Sequence, residues 1–228
     1  MRNVKAIFIK QILSFCKNPA MIGTPVAFLA LPLAFILLIP GLSEDGGTYA
    51  ITAQFTMLFV GISMVGTAGG LIAEDRATMN LRFMGMAGVK PYQYMLATCG
   101  ALLVISVCML SLLGLIGRHS GEAYLNFLII SVLGGATSML LGVTLSLSKA
   151  APFTPIVGLL LGMGPMFAEG NEFLARIFQF VYTYRINHTL REGLTESLAE
   201  PLQVILINLA VVLAAFIAAN SMKKSLDS

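Results

Sequence analysis

Residues 46–73 read GGTYAITAQFTMLFVGISMVGTAGGLIA, and residues 74–90, which follow directly, read EDRATMNLRFMGMAGVK. The first stretch has 28 residues and no Asp, Glu, Lys or Arg. The second packs five charges among Met79, Leu81, Phe83, Met84 and Met86. A membrane-spanning helix needs roughly 20 mainly apolar residues at 1.5 Å each. The first stretch meets that length. The second stops it with charge but stays too apolar for a purely solvated connection. A spanning helix followed by a short helix packed on the membrane or on a partner is the expected arrangement.

The same reading extends outward. Residues 18–43, 91–117, 123–148, 150–168 and 201–222 are equally free of Asp, Glu, Lys and Arg, with lengths of 26, 27, 26, 19 and 22 residues. Over all 228 residues, 57% are hydrophobic and 11% charged. A soluble domain carries about a quarter charged residues, so lipid must solvate much of this surface. Lipid offers the backbone no hydrogen-bond partners, which makes each span helical. The expected fold is an all-α membrane protein with six transmembrane helices, at about 20–41, 50–73, 93–117, 123–147, 150–168 and 202–222, in a single transmembrane domain. The first run is too long for the apolar part of a signal peptide, and five more follow it, so it is read as retained. Trp is absent, which leaves six Tyr and some of 14 Phe for an interfacial belt.

Six spans put both ends on one side, and the basic residues choose it. With cytoplasmic termini, the inner segments hold ten basic residues: Arg2, Lys5, Lys10, Lys17, Arg76, Arg82, Lys90, Lys149, Lys223 and Lys224. The outer segments hold four, Arg118, Arg176, Arg185 and Arg191. Residues 2–18 carry Val4, Phe8, Ile12 and Phe15 on one helical face, with Lys10, Ser14 and Lys17 roughly opposite. That is the pattern of an amphipathic helix lying in the inner interface, ended by Asn18 and Pro19. The long outer segment, 169–200, holds an apolar patch from Phe173 to Tyr182 that is too short to span, which suggests a re-entrant or interfacial helix. Gly66 and Gly70, Gly158 and Gly162, and the series Gly134, Ser138, Gly142 place small residues at helix-packing intervals. No internal repeat or low-complexity tract is present.

Several chemistries lack their residues. The phosphate loop G-x-x-x-x-G-K-[ST] is absent; Gly85, Gly88 and Lys90 approach it, but Pro91 stands where Ser or Thr is required. The six apolar runs hold no Asp, Glu, Lys, Arg or His to bind a driving ion, although carbonyls and hydroxyls can still bind sodium. A serine protease would need a His beside its Ser. His119 and His188 both fall in outer segments, where a solvated loop residue and a surface residue are expected. Ser63 has no matching His in another span. Glu74 and Asp75, the only inner acidic pair, point about 100° apart on a helix, so capping or salt bridging suits them better than metal binding. Cys16, Cys99 and Cys108 form no CxxC pair and read as packing residues. Methionine is abundant, at 13 residues including Met57, Met64, Met139, Met163 and Met166. It adapts to irregular partners as well as filling cores.

With those features assembled, the chain resembles the membrane subunit of ATP-binding-cassette type-2 exporters over nearly its whole length. The resemblance rests on the leading amphipathic helix, six spans, the loop between spans two and three, and the segment between spans five and six. The loop matches most specifically: Glu74-Asp75-Arg76-Ala77-Thr78, then Leu81, Phe83 and Met84, then Gly88-Val89. Ala77 stands where the family often has Gly, and Gly88 where it often has Pro. In that family the loop holds a coupling helix that docks into a groove of a separate ATPase. The resemblance implies that Glu74, Asp75, Arg76, Leu81, Arg82, Phe83 and Met84 couple to that subunit, with Glu74, Arg76 and Arg82 pairing at the groove's rim. It implies two permease chains, identical or homologous, with ATP and Mg on the partner subunits and no cofactor on this chain. The chain itself would not be an enzyme, while the assembled complex would be an ATP-driven translocase. It would sit in a bacterial cell membrane, in contact with lipid and not with nucleic acid. The substrate would be an amphipathic drug, an antimicrobial or toxin peptide, or a lipid. Phe55, Phe59, Met163 and Met166 are the candidate path residues. A passive pore or an ion-coupled carrier is the alternative.

Overall fold

The computed structural model describes residues 2–39, 47–148, 150–168, 170–192, 194 and 198–226. Lys149, and the side chains of Arg2, Lys223 and Lys224, lie outside the described residues, as does that of Leu81.

Six helical segments are long and apolar enough to cross a membrane: Met21–Leu38, Gly47–Ala77, Gln93–Ile116, Gly121–Leu147, Ala151–Ala168 and Ala199–Ala218. They belong to α2 (Pro19–Leu38), α3 (Gly47–Leu58) with α4 (Met64–Ala77), α6 (Pro91–Ile116), α7 (Gly121–Leu147), α8 (Thr154–Ala168) and α11 (Ala199–Leu226). Four further helices, α1 (Arg2–Lys17), α5 (Asn80–Met86), α9 (Glu172–Phe178) and α10 (Tyr182–Glu192), and a 3-10 turn at Ala151–Phe153 lie among the described residues. Pro25 and Pro32 lie inside α2 and Pro165 inside α8.

The second span is the axis of the bundle. An 18-residue stretch of it is 72% buried, against 11% for the first and sixth spans. At its middle, Phe59–Ser63 winds as a π turn between α3 and α4. There α8 comes close: a Cβ on Gly61 would lie 2.5 Å from the Gly162 backbone nitrogen. Only glycine at both points permits that approach. A Cβ on Gly142 of α7 would collide with the Val65 carbonyl, and one on Gly134 with Ile186 of α10. The Gly158/Gly162 pair and the Gly134/Gly142 series are thus spent on contacts within the chain. Gly66 meets no atom within 4 Å, and Gly70 meets only Met21 at 3.9 Å.

The second span also runs further than charge alone suggests. Gly47–Ala77 has 31 residues, about 46 Å at 1.5 Å each, against a hydrocarbon core of about 30 Å. Nothing in Ile72-Ala73-Glu74-Asp75-Arg76 breaks a helix, so α4 carries its charges past the apolar stretch. It ends where the Thr78 hydroxyl donates to the Glu74 carbonyl at 2.8 Å and Met79 turns left-handed at φ 56°. Gly88, at φ 73°, supplies the second reversal before α6.

α1 packs on α6. Its inward stripe is Ile7, Gln11 and Phe15, with Val4, Phe8 and Ile12 half-buried beside it. The inclusion of Gln11, and the inward reach of Lys10, departs from the sequence pattern because both serve Asp75.

At the opposite end, α10 packs inside the bundle against α3, α7, α8 and α11, while α9 lies on α8 with no buried residue. α10 buries Tyr182, Thr183, Ile186, Asn187 and Leu190, one face of a helix. The Tyr182 hydroxyl and Ser138 Oγ lie 2.6 Å apart. Ser138 is 17 residues from the start of α7, about 26 Å along it.

Candidate functional site

Asp75 gathers the α1 end of the bundle. It is 4% exposed. Lys10 Nζ lies 2.5 Å from its Oδ1, which also accepts from Asn80 Nδ2 at 3.1 Å. Its Oδ2 accepts from Gln11 Nε2 and from the Tyr94 hydroxyl, each at 2.8 Å. One carboxylate therefore ties together α1, α4, α5 and α6. A buried carboxylate without such partners would be strongly unfavourable; here four donors, one of them the Lys10 ammonium, replace water.

The residues on either side point elsewhere. Glu74 is half-buried and accepts from Asn18 Nδ2 at 3.4 Å. Arg76 reaches across to α7, where Nη1 donates to the Ser146 carbonyl at 2.7 Å and Nη2 to the Leu147 carbonyl at 3.3 Å. Those carbonyls close the C-terminus of α7, where cationic donors are favoured. Of the three rim residues expected from sequence, Glu74 and Arg76 thus face partners within the chain, and Arg82 is exposed on α5.

On α5, Met84 is half-buried and packs on the core. Met79 just before it, Phe83 and Met86 are exposed, at 58%, 59% and 67%. A short helix held by Asn80 and Met84 thus presents an apolar patch with Arg82 beside it.

A groove of about 850 Å³ opens along α4 between α2 and α8. Its wall includes Thr24, Ser63, Gly66, Thr67, Gly70 and Thr154, with Arg76 at the end nearest α1. Ser63 Oγ and Thr154 Oγ1 are buried and have no hydrogen-bond partner among the described residues. The open glycines, Gly66 and Gly70, are what give the groove its width. Phe55, Phe59, Met163 and Met166 do not line it. Phe59 is fully buried against Phe28, with ring centres 6.5 Å apart, and Phe55 meets Phe35 at 5.9 Å. Met163 is exposed and Met166 half-buried.

At the far end, the turn between α9 and α10 is closed by side chains. The Phe180 carbonyl accepts from Asn208 Nδ2 at 2.9 Å, and the Gln179 carbonyl from Arg185 Nε at 2.9 Å. Arg185 Nη1 also pairs with Glu200 at 2.8 Å. His119 corrects an expectation. It is not a solvated loop residue but 7% exposed. Arg118, left-handed at φ 54°, reverses the chain and turns the imidazole inward. There its ring lies 4.9 Å from Phe127 and 5.1 Å from Tyr49. Nδ1 has no partner among the described residues, and burial holds the group below its ordinary pKa of 6.5. His188 is half-buried, with its ring 6.0 Å from Tyr184. The three cysteines are free.

No protein-family model matches the chain, and no curated protein matches it.

Proposed function

We propose that this chain is the membrane subunit of an exporter whose ATP is hydrolysed by a separate subunit. The observation that carries the reading is α5: an anchored helix of seven residues that turns Phe83 and Met86 outward beside Arg82. Exposed apolar residues rimmed by charge suit a protein partner. Asp75 gives such a partner leverage, because a push on Asn80 is felt by Lys10, Gln11 and Tyr94 through one carboxylate. In this reading α1 lies in the inner interface, both termini are cytoplasmic, and the segment that holds α9 and α10 is re-entrant from the outer side. The partner ATPase holds ATP and Mg, and a second permease chain completes the pathway.

The substrate passage in this reading follows the α2–α4–α8 groove instead of Phe55, Phe59, Met163 and Met166. Apolar Met21, Ile62 and Leu159 with the exposed Thr24 suit an amphipathic molecule. Drugs, amphipathic peptides and lipids share that character.

The test is sidedness. Met86→Cys is placed in a chain whose three cysteines are changed to Ser. A membrane-impermeant thiol reagent should label it in inverted vesicles and spare it in intact cells. Labelling from outside would place α5 beyond the reach of any ATPase and end the proposal.

A further inference from the structure

We propose that the groove between the C-terminal half of α1 and the start of α2 holds the headgroup of an aminophospholipid, a phosphate with a primary ammonium beside it. This open cavity, about 710 Å³, is lined by Ile9, Lys10, Leu13, Ser14, Lys17 and Glu74, and closed by Asn18 and Pro19. Its height is fixed by the chain. Asn18 joins α1 to the first helix apolar enough to span, so the groove lies where lipid headgroups lie. Ile9 and Leu13 are 46% and 49% exposed, an apolar lip for the start of the acyl chains.

Charge selects the headgroup. The Lys10 ammonium is committed to Asp75. Lys17 is exposed and makes no ion pair among the described residues. Glu74 receives a long bond from Asn18, at 3.4 Å, while a carboxylate has about four acceptor positions. The groove therefore presents one cation and one anion. A phosphate on Lys17 and Ser14 and an ammonium on Glu74 satisfy both. Phosphatidylglycerol would satisfy Lys17 and leave Glu74 facing an anion. Phosphatidylcholine carries a cation with no N–H to donate. The site stands apart from the exporter reading, since it needs only that the chain is in a bilayer.

The experiment uses the full chain, purified in detergent and stripped of lipid. Phosphatidylethanolamine, phosphatidylglycerol and phosphatidylcholine of identical acyl chains are titrated, with binding read by native mass spectrometry and by the shift in Tm. Phosphatidylethanolamine should bind tightest. Glu74→Gln should weaken it about threefold and leave phosphatidylglycerol no weaker, whereas exposed Lys17→Gln should weaken both by about that factor. Equal binding of all three lipids, or an unchanged preference in Glu74→Gln, would overturn the proposal. So would competition by soluble phosphoethanolamine at equal concentration, which would mean the site does not require a lipid.

Discussion

Tyr94 donates its hydroxyl to Asp75 Oδ2 at 2.8 Å, and Gln11 donates to the same oxygen at the same distance. Helices 64 and 19 positions away in sequence are thereby fixed to one atom. Removing one member of such a network leaves the others buried and unsatisfied. Asp75→Ala should lower stability by about 3 kcal/mol, and Tyr94→Phe by about 1 kcal/mol. Pairing Asp75→Leu with Lys10→Met should recover part of the loss, since both charges then leave together. Thermal unfolding in detergent measures all three; a larger loss in the pair than in Asp75→Ala would deny the network its role.

The glycines of the second span divide by what a methyl group would meet. Gly61→Ala must displace the Gly162 backbone and should destabilise the protein by about 3 kcal/mol. Gly66→Ala meets nothing and should gain up to about 1 kcal/mol as a helix-interior replacement. Gly66→Leu should fold normally yet reduce transport, because its side chain fills the groove. Parallel measurement of Tm and substrate flux separates these outcomes; normal flux in Gly66→Leu would move the passage elsewhere.

Arg118 is exposed and holds φ 54° with a side chain that opposes it. Arg118→Gly should raise stability by about 1 kcal/mol. A fall in Tm would mean the arginine side chain makes a contribution larger than its backbone strain.

His119 predicts a dependence on pH. Its folded-state pKa lies below the ordinary 6.5 because burial disfavours the charged form. Above pH 6.5 both folded and unfolded chains are neutral there, and the contribution is fully present. As pH falls below 6.5 the unfolded chain takes up the proton first, so stability declines, by at most about 1.4 kcal/mol per pH unit. His119→Gln should flatten the decline of Tm between pH 7 and 5. An unchanged slope would assign the acid sensitivity to other groups.

The six spans were legible because charge interrupts apolar runs at intervals long enough to cross lipid. What escaped the sequence depends on contacts between distant segments. Asp75 reads as a loop residue since charge is taken to end a span, yet α4 continues through it and Lys10 and Gln11 come to meet it. The π turn at Phe59–Ser63 has no local signature. Gly61 opposite the Gly158/Gly162 pair was the available hint, visible only once α8 is known to cross there. His119 follows a positive-φ arginine, a backbone state that sequence does not announce. The groove formed at Gly66 and Gly70 because those glycines, unlike Gly142 and Gly162, are not pressed against a neighbouring helix.

The central claim is that α5 is a seat for a separate motor, and affinity purification of the tagged chain from its own membranes tests it most directly. The wild-type chain should bring down an ATPase carrying a phosphate loop, and Phe83→Asp, at an exposed position that leaves Tm unchanged, should lose it. A wild-type preparation with no such ATPase, or equal recovery with Phe83→Asp, would contradict the account.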